Sequence, residues 1–523
     1  MIKRKIISLY IITEFLFFVL IIIGLIFRFI YLDNIPGING DEPFFGVKAI
    51  NFIDGVAINW QTGSGLPMNP FFFIPSILLH TIFPPSFMLL RLQSAIYGCF
   101  SVFICYFLFR KSLPKWECLS LTLFIAVLPV SIAYSRISWD PSQSLLFIIV
   151  CVYYAKEKKY LHTIISFICC IIVHPTNIFL MPFILYPFIE VIINKFKSGH
   201  YNRKTFTLKK ILIFIFIFFV LLLIVNTQLP YFKNAIHMNL IFDRLFNPYE
   251  YIQYCFYIVN LFNGITPYTY FIGDIPELSV YIYFFIFILL VIPVFIFSLR
   301  PGSGFHIRIL CFLFSIFFFY IAAGAVNIAP HRERYALWMI VPGIILYVQV
   351  LYKEIGHKKA NAFSMIIAFI FLINFSNNYF NMAIKNNCNS QQTFLTGKTD
   401  PKQLATEWIC RQKVNSPRVI YTENWWLYWP VKYLISSKKE NYITILNCQW
   451  DKRFPKDFDF SSLIIPDNAN IYYIAFQDSP LFKCLSKDQL FINAYTATGY
   501  PDKTPLISVF IPITQKTQIA INY

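Results

Sequence analysis

The chain has 523 residues, of which 57% are hydrophobic and only 13% charged, with a formal net charge of +18. Soluble domains carry roughly 25% charged residues, so this composition excludes an ordinary water-soluble globular protein. The positive charge is not a nucleic-acid footprint: most Lys and Arg lie in short loops between apolar blocks, where topology signals belong.

The apolar material comes in blocks of about 20 residues, the length that spans a bilayer as helix. Alternating segments of about ten residues, the mark of a transmembrane barrel, are not seen. The first block starts behind Lys3, Arg4 and Lys5 and runs to about Tyr31. It is too long for a signal peptide and no small-residue cleavage site follows, so it reads as an uncleaved first helix. The predicted spans are 6–32, 87–109, 117–135, 141–156, 160–174, 177–193, 210–228, 279–299, 308–327, 335–352 and 360–376. That is a polytopic α-helical membrane protein of about eleven crossings.

Charge orients it. With a cytoplasmic N-terminus, the cytoplasmic loops hold 20 Lys and Arg and the longer outer loops hold 6, the positive-inside asymmetry. The apolar stretch 69–84 would break that pattern as a crossing, so it reads as a re-entrant or interfacial helix on the outer side. Residues 1–376 form the membrane domain, with 33–86 as its main outer loop. Residues 377–523 change character, with 16 Lys and Arg against 11 Asp and Glu. Short β-rich runs at Arg418–Thr422, Ile471–Phe476 and Leu506–Ile513 make this a small α/β domain outside the membrane. Its four cysteines, Cys388, Cys410, Cys448 and Cys484, allow three pairings between which the sequence does not choose. No pair has zinc-site spacing, and no metal-ligand cluster is visible.

The first outer loop carries the chemistry. Asp41 and Glu42 precede Pro43 and a helical stretch, an arrangement suited to a helix start. Phe44, Phe45, Ile50 and Phe52 would lay that helix in the membrane interface and hold the carboxylates at headgroup level. Such a carboxylate can take the proton of an acceptor hydroxyl during glycosyl transfer. It can equally be a helix-capping group at the positive end of the dipole.

Several short motifs follow in order. They are Asn69-Pro70-Phe71-Phe72, Leu90-Arg91-Leu92-Gln93-Ser94-Ala95 with Gly98, Tyr134-Ser135-Arg136 with Asp140, His174-Pro175-Thr176, and Arg334-Tyr335. With Asp41-Glu42 they make the chain resemble the GT-C glycosyltransferases, in particular the protein O-mannosyltransferase and lipid A aminoarabinose transferase group, over about residues 6–350. Two departures stand out: Met68 occupies a position where that group often has His or Lys, and the Lys often found near the Pro after His174 is missing. The outer domain matches poorly, although Glu423-Asn424-Trp425-Trp426 is similar to a segment of such domains.

The resemblance implies an inverting glycosyltransferase that takes a sugar from a polyprenyl phosphate on the outer face. No cofactor is implied, since the lipid-linked sugar is a substrate. The acceptor would be a glycan, lipid A or a protein hydroxyl. Asp41 is the expected base and Glu42 a secondary carboxylate. Arg91 and Arg136 are the expected contacts of the departing phosphate, with His174, Arg332 and Arg334 as further candidates; arginine forms a fork suited to phosphate oxygens. Trp425 and Trp426 are candidates to stack on the acceptor, or else pack the outer domain onto the membrane part. The rival readings are a transporter or flippase of lipid-linked glycans, which would show more ionisable residues inside its helices, and an inactive glycan-binding relative. The Ile, Phe, Asn and Lys bias points to an AT-rich bacterial genome and hence to the inner membrane.

Overall fold

In a computed structural model, the described residues are 2–63, 65–197, 247–273, 305–325, 333–385, 401–412, 416–436, 442–446, 468–498 and 505–515, with isolated positions at 281, 284, 285 and 296. The predicted span 210–228, almost all of 279–299, Arg332, Cys388 and Cys448 fall outside them.

The first half is a run of helices: α1 (Ile2–Ile26), α2 (Asp41–Ile53), α3 (Pro70–Ile82), α4 (Phe87–Phe109), α5 (Lys115–Val127), α6 (Pro129–Tyr134), α7 (Ser144–Lys156) and α8 (Tyr160–Val173). Polar side chains start them. Asn69 accepts from Phe71 N and Ser86 from Leu89 N, each satisfying an otherwise orphan helix donor. α3 has 13 residues, about 20 Å of helix, which is too short to cross a bilayer and agrees with its exclusion from the spans.

The expected span 117–135 is two helices. Pro129 cannot continue α5, and Leu128 before it is extended (φ −59°, ψ 126°). The break strands backbone carbonyls inside the protein. The buried guanidinium of Arg28 takes them, bonding Ala126 O (2.8 Å) and Ile125 O (3.2 Å) as well as Ser131 Oγ (3.1 Å). Such an internal partner is what permits irregular backbone at membrane depth.

After α8 the chain passes through a 3-10 turn at Pro175–Leu180 before the Tyr186–Lys197 helix. Helices at Pro248–Asn263, His306–Ala325 and Ile340–Phe375 follow. The loop expected at 353–359 is helical on both sides of Gly356, which alone breaks the run at φ 74°, a conformation glycine adopts without steric cost. The helix also passes the expected boundary at 376, continuing through a π-helical turn to Lys385.

Among the described residues, two helical runs are long and apolar enough to cross a membrane, Phe87–Phe109 and Tyr335–Lys385; Tyr10–Ile26, Tyr160–Val173 and His306–Ala322 are shorter apolar helices. Large apolar side chains stay exposed on their outer faces, among them Ile11, Phe15, Phe100, Phe103, Ile165 and Phe314.

The C-terminal domain is a five-stranded sheet in the order β2-β1-β3-β5-β4. β1 (Arg418–Thr422), β2 (Tyr442–Leu446) and β3 (Asn470–Phe476) are parallel; β4 (Phe491–Thr498) and β5 (Pro505–Pro512) pair antiparallel at one side. Helices at Pro401–Arg411, Trp425–Ile435 and Pro480–Lys487 accompany it, and its core joins Ala405, Ile409, Leu427 and Val431 to Ile420, Tyr472, Ile474 and Val509. Cys410 and Cys484 are both unbridged.

This domain docks onto the outer loop. Phe44, Phe45, Phe72, Leu90, Trp425, Trp429 and Tyr433 form one apolar cluster. Phe44 and Phe45 therefore face protein rather than the membrane interface; of the four expected interfacial residues Ile50 is half-buried and Phe52 exposed. The reason is the aromatic face of the Trp425–Ile435 helix, which covers α2 on the side that lipid would otherwise occupy. Tyr433 Oη adds polar anchors, donating to Ser86 O and accepting from Ser86 N, both at 3.1 Å. Lys402 Nζ reaches Ile38 O.

Candidate active site

The two adjacent carboxylates at the start of α2 have separate environments. Asn39 accepts from Asp41 N (2.8 Å) and Glu42 N (3.0 Å) through Oδ1, which nucleates the helix and fixes the direction of both side chains.

Glu42 is fully buried. Arg91 grips it as a fork, Nε on Oε2 and Nη2 on Oε1, each at 2.9 Å, and Ser138 N donates to Oε2 at 2.9 Å. The remaining Arg91 donors go to Leu32 O (3.1 Å), Pro36 O (2.7 Å) and Gly37 O (2.8 Å). All five guanidinium N–H groups therefore already serve protein acceptors. Arg91 ties α4, the 32–42 loop and the 135–140 loop into one knot.

Arg136 is likewise bonded to backbone carbonyls, with its Nε left without a partner among the described residues. It is fully buried and donates to Phe27 O (2.6 Å), Tyr31 O (3.2 Å) and Ile35 O (2.8 Å). Its guanidinium lies 4.9 Å from the Phe380 ring centre and 5.4 Å from that of Tyr379, a cation–π arrangement. Arg136 thus adds a donor to carbonyls of the turns that follow α1; Tyr31 O also accepts from Asn34 N and Ile35 N.

Asp41 is only partly buried. Trp425 Nε1 donates to its Oδ1 at 3.2 Å. The indole also lies against Phe44, with centroids 5.4 Å apart. Trp425 is thus buried at the docking face, the packing place that was the alternative to acceptor stacking. Trp426 is half-buried between the core of the C-terminal domain and the docking cluster.

Lys48 shares the helix face of Asp41, seven residues on, about two turns. Its ammonium lies 4.7 Å from the Phe44 ring centre, bonds Gln61 O at 2.7 Å and Asn59 O, and comes within 4.0 Å of Met68 Sδ. Partial burial lowers its pKa from the ordinary lysine value. Lys48 was passed over in the sequence, although the i, i+7 spacing from Asp41 was the available signal. It brings a cation to the position where Met68 lacks one.

A third cluster lies at the start of α3. Asn69 Nδ2 donates to Gln143 Oε1 (2.9 Å) and lies 3.4 Å from Asp140 O and Val173 O. His174 follows Val173; its Nδ1 lies 2.7 Å from Thr176 Oγ1 and 3.4 Å from Thr176 N. The ring packs against Tyr335. The neighbouring Arg334 belongs to the turn Glu333–Met339.

Two buried amide nitrogens, Asn39 Nδ2 and Gln143 Nε2, have no partner among the described residues. Their orientations are fixed, because Asn39 Oδ1 accepts from two backbone N–H groups and Gln143 Oε1 from Asn69. A buried donor left unpaired costs about 1–3 kcal/mol. Among the described residues no group of three His, Cys, Asp or Glu side chains is arranged to hold a metal ion.

No protein-family model matches the chain, and no curated protein matches it by sequence. Solved structures do. ArnT from Cupriavidus metallidurans bound to undecaprenyl phosphate superposes with a TM-score of 0.50 at 9% identity, covering 94% of this chain and 97% of that one. This chain has an ArnT-like fold. The apo state of the same protein gives 0.48 at 10% identity over the same shares. The GT-C resemblance drawn from scattered short motifs is thus met at the level of the fold, outer domain included, across nearly the full length of both chains. The ArnT-like fold does not by itself assign a reaction.

Proposed function

We propose that the chain is an inverting glycosyltransferase that moves a sugar from a polyprenyl phosphate to an acceptor hydroxyl at the outer face of the membrane. The observation that carries the proposal is the division between the two carboxylates: Glu42 is fully buried and held by Arg91 and Ser138, while Asp41 is partly exposed at the docking face. The solved ArnT neighbour bound to undecaprenyl phosphate supports the donor class, and the exposed apolar helix faces suit a lipid surround.

In this reading Asp41 removes the acceptor proton as that oxygen attacks the anomeric carbon. The bond from the anomeric carbon to the phosphate oxygen breaks, and the lipid phosphate leaves with the electron pair. Lys48, partly exposed where Arg91 and Arg136 are fully buried, supplies positive charge to the leaving phosphate. Asn39 Nδ2 and Gln143 Nε2 are available to bond sugar hydroxyls or phosphate oxygens. Stabilising charge that develops only in the transition state is what raises the rate.

The test is purified protein in liposomes with a labelled polyprenyl-phosphate sugar and a hydroxyl acceptor. Glycosylated acceptor and free polyprenyl phosphate are expected in equal amounts. Movement of the intact lipid-linked sugar across the bilayer without bond cleavage would contradict the proposal and favour a flippase.

A further inference from the structure

The C-terminal domain carries a lysine into the loop that leads to the two carboxylates. Lys402 is fully buried, and its Nζ donates to Ile38 O, three residues before Asp41. The helix that bears it, Pro401–Arg411, is anchored by Ala405 and Ile409 in the core of the domain. Lys402 is the second residue of that helix, whose first turn holds no acid. The position is doubly unfavourable for an ammonium. Burial strips its hydration, and the helix dipole already places positive charge at this end. A carbonyl orients an ammonium without neutralising it, so an anion is required close by.

Water is a poor substitute for that anion here. Ile38, Asn39 and Gly40 are all buried, and the domains meet so closely that a Cβ on Gly40 would sit 2.4 Å from Trp425 Cδ1. Three acids lie in the segment 33–42. Asp33 is exposed. Glu42 is held by the Arg91 fork and Ser138 N. Asp41 starts α2 at the docking face, and its Oδ1 accepts from Trp425 Nε1, which belongs to the same domain as Lys402. The other basic side chains on α2 and on the elements packed against it have places of their own. Arg91 is on Glu42, His80 contacts Ser76 O and Tyr433 Oη, Lys432 lies on Tyr428 Oη, and Lys48 is on Gln61 O two turns along the helix.

We propose that Lys402 is the counter-charge and a positioning residue of Asp41, so that docking of the C-terminal domain sets the direction and the charge of that carboxylate. The catalytic part of this inference rests on Asp41 being the base. The ammonium is a compact charge with three donors. One is placed on Ile38 O, and Asp41 is the acid of the 33–42 segment that the docked domain itself meets. One domain thus brings both a cation and an indole N–H to the start of α2. A neighbouring cation favours the ionised carboxylate, which keeps the base unprotonated when the acceptor arrives. Undocking the domain withdraws that charge.

The test compares Lys402→Met with Lys402→Arg in full-length protein, each also combined with Asp41→Asn. Methionine removes the charge and keeps much of the length; arginine keeps the charge. For Lys402→Met the acid limb of the kcat–pH profile should move about one to three units to higher pH, because the carboxylate loses the cation that favours its charged form. The KM for donor should stay unchanged, and Lys402→Arg should keep the wild-type limb to within about half a unit. A lysine that serves only Ile38 O would lower the melting temperature in Lys402→Met and leave the limb in place, and that result would overturn the proposal. Melting tests the pair without any need for activity. Lys402→Met should cost at least about 2 °C less in the Asp41→Asn background than in the wild type, whereas additive losses would overturn the pairing. If Lys402→Met does not fold, adding Asp41→Asn must recover folded protein or the proposal falls. Near-normal turnover in Asp41→Asn would instead remove the base assignment, with the pair still decided by melting. A dead Asp41→Asn beside additive melting losses removes this inference alone.

Discussion

Asp41 and Glu42 are neighbours in the chain and belong to different regions of the molecule. Glu42 points into the knot between α4 and the loops, where a guanidinium and a backbone N–H saturate it. Asp41 points to the docking face, where an indole touches one oxygen. On the proposed reading the same functional group is structural where it is fully buried and reactive where it is partly exposed. Arg91 and Arg136 are fully buried among loop carbonyls, whereas Lys48, which also bonds two carbonyls, is partly exposed.

The largest expected effect breaks the knot. Arg91→Ala leaves Glu42 charged, buried and unpaired, which costs about 3–5 kcal/mol. Glu42→Gln strands the Arg91 charge with a similar loss. Both should reduce the yield of folded protein in detergent and lower its melting temperature, before any kinetic effect is read. Arg91→Lys keeps the charge but not the fork and should cost less, about 1–3 kcal/mol. If Arg91→Ala melted like the wild type and raised only the KM for donor, Arg91 would return to the role of phosphate ligand.

A smaller effect is expected on the reactive side. Lys48→Met removes the cation beside Met68 without touching the knot. Loss of a charged contact to a phosphate should raise the KM for donor by roughly 10-fold and leave the melting temperature within about 2 °C. Unchanged donor kinetics would take the phosphate role away from Lys48. The smallest perturbation tests only the orientation. Cys484 is exposed and unbridged, so a membrane-impermeant thiol reagent should label it on intact cells. Labelling only after permeabilisation would invert the topology and move the proposed site to the other side.

The sequence made some parts of this comparison legible and hid others. The apolar run gave α4 its observed limits, 87–109, because hydrophobic length and a capping Ser86 are local signals. The β-rich runs likewise located β1, β3 and β5 to within a residue or so. The acidic loop was readable as a helix start bearing two carboxylates. Their separate fates were not, because the deciding partners are distant: Arg91 is 49 residues from Glu42, and Trp425 is 384 from Asp41. Topology assigns a cation its depth in the membrane, but not which carbonyls it bonds, and the backbone partners of Arg91 and Arg136 were hidden for that reason. The interfacial placement of Phe44 and Phe45 failed similarly, since hydrophobicity does not distinguish lipid from the aromatic face of another domain. Lys48 was legible by spacing alone.

The central claim is that Asp41 is chemical and Glu42 is structural. The most direct measurement is turnover from a polyprenyl-phosphate sugar by purified Asp41→Asn protein, with its melting temperature taken on the same preparation. Asparagine keeps the shape and still accepts from the Trp425 indole, so the fold should hold and donor should still bind. Turnover should fall about 10²–10⁴-fold, the usual loss when a general base is removed. Near-normal turnover in a protein that melts like the wild type would contradict the account.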